Sequence, residues 1–346
     1  MEKGALQLLG GLTPRDFLRR YWQKRPLFVR AALPGFAGIV GARALAALAA
    51  RDDVESRIVE RRGRRRETAH GPFRRIAPGK KHWTLLVNGV NLHVDKADAL
   101  LQRFNFVPQA RLDDVMVSYA TPGGGVGPHV DNYDVFLLQG PGRRAWRVEN
   151  KRFVAQPGDL LYLPPKVGHD GVALDACFTY SIGFRAPRGA ELVAAFLDWL
   201  HERGLPDADY RDPGLSPAKR PGRIPSELVS FARKVLDRIR WSPGEVERFL
   251  GEYLSEPKPH VVFAPGPRGG RLGRSLVRLD PRTRLLYCGR RFFINGEAIE
   301  LDKNDAARLR ELADRRLMHG ERLARAPLAG LISAWQRLGY LNLERT

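Results

Sequence analysis

Cysteine is scarce in this chain: Cys177 and Cys288 are the only two in 346 residues. Two thiols cannot build a disulfide framework or a cysteine-based zinc site, and their scarcity fits a reducing cytoplasm. Long apolar runs are missing too, so no segment reads as a bilayer span. The opening stretch MEKGALQLLGGLTPRDF lacks the charged start, long apolar centre and small-residue cleavage site of a secretory signal. There is no internal repeat and no low-complexity tail. Lysine is rare: of 58 basic residues 11 are lysines, leaving 58 − 11 = 47 arginines against 38 acids, a net charge of +20. Such a charge either attracts an acidic partner such as ribosomal RNA or records codon bias. The bases are spread along the chain, which favours codon bias. The densest cluster, ERRGRRRE at residues 60–67, reads as a solvated loop between elements.

What is present is enough for two or three domains with a sizeable core. Thr13-Pro14 has the hydroxyl N-cap and first-position proline that start a helix. LFVRAAL follows as a short strand, GARALAALAAR as a helix, and RIVERRGRRRETAHGPF as a hairpin with a basic tip. Residues 82–104 space their apolar positions as a helix does. From Asp114 the period changes. Short β-rich runs are cut by glycine and proline turns at 122–128, 140–143, 157–158 and 164–168, the pattern of a small antiparallel barrel or jelly roll. A helix follows from Gly189, and residues 204–225 read as a linker. Ser226 caps a helix, SPGEVERFLGEYLSE is another, and residues 257–274 form a second Pro/Gly/basic stretch. The remainder alternates short strands with helices, among them a basic one starting at Asn304.

His129 and Asp131 lie two apart at the start of a β-rich run, behind a glycine turn. In a strand such residues share a face, so both side chains reach one cation. His169, after PGDLLYLPPKVG, supplies a third ligand. Two imidazoles and one carboxylate form the facial triad of non-haem Fe(II) oxygenases. The second HxD, His93 and Asp95, lies in or beside a helix-like segment where i and i+2 diverge; His93 reads as packed or surface-lying and Asp95 as a helix cap. His70, His82, His201, His260 and His319 lack partners at useful spacing. An Fe(II) oxygenase that splits O2 needs two further electrons, which 2-oxoglutarate supplies, and its far carboxylate needs a buried cation, best a guanidinium. Arg144, on the strand after the Gly140–Gly142 turn, suits this, with Arg143 facing the other way. A hydroxyl partner could come from Ser118, Thr179 or Ser181.

At these residues the sequence resembles a known family. MVSYATPGGGVGPHVDNYDVFLLQGPGRRAWRV and PGDLLYLPPKVGHDGVAL with YSIGFRAP resemble the bacterial ribosomal oxygenases of the JmjC type. YWQKRPLFVR, HGPF and WTLLVNGVN resemble their N-terminal segments, RFFINGE and LAGLISAWQRLGYL their C-terminal domain. The resemblance implies His129, Asp131 and His169 as iron ligands and Arg144 with Ser118 as the 2-oxoglutarate anchor. It implies an α+β chain in three parts: a JmjC double-stranded β-helix over 1–188, a helical dimerisation region over 189–256 and a winged-helix-like domain over 257–346. It also implies a cytoplasmic homodimer that hydroxylates an arginine in large-subunit ribosomal protein number sixteen. The segment between Asp131 and His169 is shorter than in the best-known members, which puts the substrate in more doubt than the chemistry. Tyr133 and, secondarily, Asp134 are expected to meet the substrate guanidinium. A membrane or direct nucleic-acid partner is not expected. The rivals are the same chemistry on a ribosomal histidine or another protein, and a basic RNA-binding cupin-like protein without turnover.

Overall fold

The computed structural model describes residues 6–62, 65–76, 81–266 and 271–345. The tip of the basic hairpin, residues 63–64, and residues 267–270 of the second Pro/Gly stretch lie outside the described residues. No helix among those described is long and apolar enough to cross a membrane. The chain forms two compact units. It leaves the first at Pro187, returns at Pro257, leaves again at Arg284 and returns at Asn304.

The first unit is built around antiparallel strands β1 (Leu27–Val29), β2 (Ser56–Arg62), β3 (Arg65–His70), β4 (Trp83–Val87), β5 (Leu112–Ala120), β6 (Val135–Gln139), β7 (Arg144–Val148), β8 (Lys151–Ala155), β9 (Leu160–Leu163), β10 (His169–Ala173) and β11 (Cys177–Phe184). Eight of them form one sheet in the order β1-β9-β6-β11-β5-β4-β2-β3, and β10-β7-β8 form a second. The two sheets are the jelly-roll body expected from the turn spacing. Alternation decides what each face does. On β5, Val115 and Val117 are buried in the core, while Asp114, Met116 and Ser118 turn to a cavity. On β11, Tyr180 and Ile182 go to the core, and Thr179, Ser181 and Gly183 to the cavity. The core side is aromatic: Phe17, Phe104, Phe136, Tyr162 and Phe184 interlock, with the Phe17 and Tyr162 rings 4.9 Å apart in an edge-on contact. The N-terminal helix Pro14–Arg20 begins as its sequence indicates, the Thr13 hydroxyl accepting from the Asp16 N–H.

The C-terminal part of this unit contains strands β12 (Ser275–Leu279), β16 (Leu317–His319) and β17 (Leu341–Arg345) in the order β16-β12-β17, with helices Lys303–Arg315 and Leu328–Arg337. The second unit combines helices Gly189–Glu202, Ser226–Leu236 and Pro243–Ser255 with the meander β13 (Leu285–Cys288), β14 (Arg291–Ile294) and β15 (Glu297–Glu300). Gly251 lets Phe293 approach: a Cβ there would lie 2.2 Å from the ring.

Four expectations need correction. Residues 83–87 are a strand, not helix: β4 pairs with β2 and β5 and is buried on both faces, so its apolar run carries no alternation. Most of the arginine cluster at 60–67 lies on the paired strands β2 and β3 rather than in a loop. Ser226 is the first helical residue; Pro225 holds the N-cap position, and no side-chain cap forms. Asp95 likewise opens the first turn of its helix, behind Val94 at the cap.

Candidate metal centre and co-substrate cavity

His169 is the first residue of β10, whose register opposite β7 pairs it with Val148. His129 lies outside any regular strand. It is fixed by one antiparallel bridge in which His129 and His169 exchange both backbone hydrogen bonds at 3.0 Å. The approach requires glycine upstream. A Cβ on Gly125 would lie 2.3 Å from the Gly171 carbonyl oxygen, and Gly127 has φ +86°, the left-handed region. Asp131 follows two residues past the bridge, and Val130 between the two points outward, 57% exposed. The i, i+2 geometry read from a strand is thus delivered by a two-residue bridge.

Ligand atoms of His129, Asp131 and His169 lie within 4.8 Å of one another. His129 Nε2 is 3.9 Å from Asp131 Oδ1, and His169 Nε2 is 3.6 Å from Asp131 Oδ2. Each Nδ1 is satisfied behind the ring: His129 by the Gly127 carbonyl at 2.8 Å, His169 by the Val167 carbonyl at 3.0 Å. A carbonyl acceptor places the proton on Nδ1 and leaves Nε2 with a lone pair aimed at the shared point. Burial, with the neighbouring His129 adding to it, depresses the His169 pKa below the ordinary histidine value, so the ring is neutral as a ligand must be. The donor set fits one divalent metal ion.

The three side chains open into a cavity of about 480 Å³. Arg144, first residue of β7, reaches the same cavity and is only 4% exposed. Its Nε finds no hydrogen-bond partner, and its Nη2 has only the Cys177 sulfur at 3.7 Å. A buried guanidinium with an unpaired Nε and a sulfur as its weak acceptor is costly, which marks a site built for an anion. The hydroxyls of Thr84 and Thr179, also on this cavity, are buried and unpaired. Ser118 faces Thr179 across the β5–β11 ladder and only weakly engages its carbonyl at 3.5 Å. Ser181 lines the wall as well. Arg143 turns away to pair with exposed Asp175 at 2.7 Å.

Tyr133 lines the cavity, and burial together with the Asp131 and Asp114 charges pushes its pKa up to about 12. The structure does not bring Asp134 there. Its carboxylate is fully buried on the core side, accepting from Tyr162 Oη at 2.6 Å and Gln23 Nε2 at 3.0 Å, with Arg111 at 3.6 Å. His93 is half-buried, and with Asp95 lies apart from the metal set. Sequence reasoning missed Asp113, Asp114, Lys258, Arg57 and Arg66, all on the cavity wall. A signal existed for Asp114: it lies four residues before Ser118 on the same strand face.

Residues 99–156 and 150–192 match the JmjC domain family, and residues 238–342 match the ROXA-like winged helix. The chain is 35% identical over 318 residues to the ribosomal protein uL16 3-hydroxylase of Escherichia coli, spanning 82% of this chain and 85% of that one. Among solved structures it is similar to YcfD, a ribosomal oxygenase from Escherichia coli, with TM-score 0.83, 32% identity, and 96% and 98% of the two chains covered. YcfD in complex with cobalt and 2-oxoglutarate superposes with TM-score 0.82 at 32% identity, over 95% and 98% of the chains.

Proposed function

Because this chain belongs to the JmjC-type ribosomal oxygenases, we propose that it is a cytoplasmic Fe(II)- and 2-oxoglutarate-dependent hydroxylase of an arginine side chain in a large-subunit ribosomal protein. The observation that carries the reading is the buried Arg144 guanidinium, its Nε unpaired, inside the cavity that holds the His129, Asp131 and His169 ligand atoms. The three ligands would hold the iron and leave the other side of its coordination sphere open. Arg144 would take the far carboxylate of 2-oxoglutarate in a bidentate pair, with Ser118 and the unpaired Thr179 hydroxyl as further donors. When bound, metal and co-substrate together supply the oxidation that converts O2, 2-oxoglutarate and a C–H bond to succinate, CO2 and an alcohol.

The residues of this chain do the positioning. The mouth supports a cationic substrate: Asp114 is a buried carboxylate on the cavity wall, Asp113 lies beside it, and Tyr133 offers a ring face. Residues 1–188 would carry this catalytic part, residues 189–256 the contact between two subunits, and residues 257–346 a winged-helix-like docking part. The test has two arms. Purified protein with Fe(II), 2-oxoglutarate and a peptide from ribosomal protein number sixteen should form succinate and a peptide heavier by one oxygen. Mass spectrometry of ribosomal proteins from deletion and parent strains should show that oxygen only in the parent. An unmodified arginine in the parent strain rejects the substrate.

A further inference from the structure

Lys258 lies 144 positions from Asp114 in sequence, in the second Pro/Gly/basic stretch, yet it lines the cavity. Its Nζ is 3.1 Å from Asp114 Oδ2 and 3.2 Å from Asp113 Oδ1. Asp114 Oδ2 also accepts the Gly89 N–H at 3.0 Å. Both donors thus hold the same oxygen. The other, Oδ1, is engaged by neither, and lies 3.7 Å from the point where a side chain would begin on Gly183, itself on the cavity wall.

From this we infer that Lys258 is a positioning residue for substrate recognition: it fixes Asp114 by one oxygen and presents the other, ionised, to the cationic side chain of the substrate. The inference rests on the guanidinium-substrate reading above. Its physical basis is the cost of a buried carboxylate. Burial, with Asp113 adding to it, raises the Asp114 pKa, and Lys258 is the cation that opposes the rise. Burial also works against the ammonium, but Asp114 and Asp113 outweigh it and hold its pKa above the usual lysine value. Other charged groups share the cavity wall, among them Arg57, Arg66 and Asp131. Arg185 stands 3.5 Å from Asp113, and Tyr133, a neutral phenol, feels the Asp114 charge. Without Lys258, Asp114 would take up a proton more readily and offer the substrate a neutral acid. Lys258 touches no reacting atom, so its removal should act on binding rather than on chemistry.

The experiment compares Lys258→Met, Lys258→Arg and Asp114→Asn in the full chain, using the arginine peptide and a citrulline analogue, with Co(II) binding as a control for folding. Lys258→Met should raise KM for the arginine peptide about tenfold or more near neutral pH with kcat nearly unchanged. That KM should fall back as pH rises and Asp114 ionises. Lys258→Arg should restore the parent value. The citrulline peptide, lacking charge, should respond little to the substitution. An unchanged or lower KM in Lys258→Met overturns the inference. So does a rise that is the same at every pH and for both peptides, since that is the mark of a lost structural tether. Asp114→Asn separates the two levels. If it leaves the arginine KM untouched, the guanidinium reading fails with it; if it raises KM while Lys258→Met does not, only the role of Lys258 fails.

Discussion

Arg144 keeps a guanidinium inside the barrel, where a charge without a counter-charge is expensive. Trp146 shares part of the burden, its ring centroid 5.8 Å from the guanidinium carbon. That contact does not replace a carboxylate. Losing one member of a buried charge pair costs about 2–5 kcal/mol. Arg144→Met should therefore raise KM for 2-oxoglutarate roughly 100-fold, which is about 2.7 kcal/mol. Co(II) binding, measured by calorimetry, should stay near the parent value because the three ligands are untouched. Arg144→Lys should fall between, keeping the charge but losing the planar fork. A parent-like KM in Arg144→Met would remove Arg144 from the co-substrate site. Asp131→Ala should do the converse. It deletes the only carboxylate of the set, so Co(II) affinity should drop by about two orders of magnitude or more, judged against the 10–100-fold cost of lost outer partners. Parent-like Co(II) binding in Asp131→Ala would disprove its place among the ligands.

At the scale of elements, the site depends on glycine. Gly125 lies against the Gly171 carbonyl, two residues past His169 on β10, and backbone on both sides leaves no flexible side chain to give way. Gly125→Ala should destabilise the protein by about 1–3 kcal/mol through overpacking and loosen the His129–His169 bridge. A lower Tm together with weaker Co(II) binding would be the signature; a lower Tm with intact metal affinity would place the strain elsewhere. The same elements explain what the sequence disclosed. The glycine turn, HxD and later histidine were legible because each is a local signal with its own chemistry. β4 was not, since a strand buried on both faces has no alternation to separate it from a helix. Asp134 ranks below Tyr133 because alternation should turn it away from the ligands, and its carboxylate does lie on the core side. Lys258 was invisible because only the tertiary fold returns a distant coil segment to the acids on β5.

At the scale of the whole molecule, the second unit exposes several large apolar side chains on its helices. Val193 and Leu197, 60% and 53% exposed, lie four apart on one helix, so they share a face. Val229 and Leu236 lie seven apart on the next, and Trp241 follows, 54% exposed. Single exposed apolar residues are ordinary, whereas paired ones at helical spacing on successive helices suit a partner surface. A second copy of the chain would satisfy that surface by symmetry, each stripe meeting its own equivalent. A stable interface of this kind buries about 1,200 Å² or more, which several helical turns supply. The parent protein should therefore elute and scatter light as a dimer. Val193→Glu with Leu197→Glu should shift it to monomer, because two carboxylates per subunit cannot be buried unpaired. Co(II) binding should survive the change, since every ligand belongs to the other unit. A parent protein that scatters as a monomer at micromolar concentration would assign these stripes to some other contact.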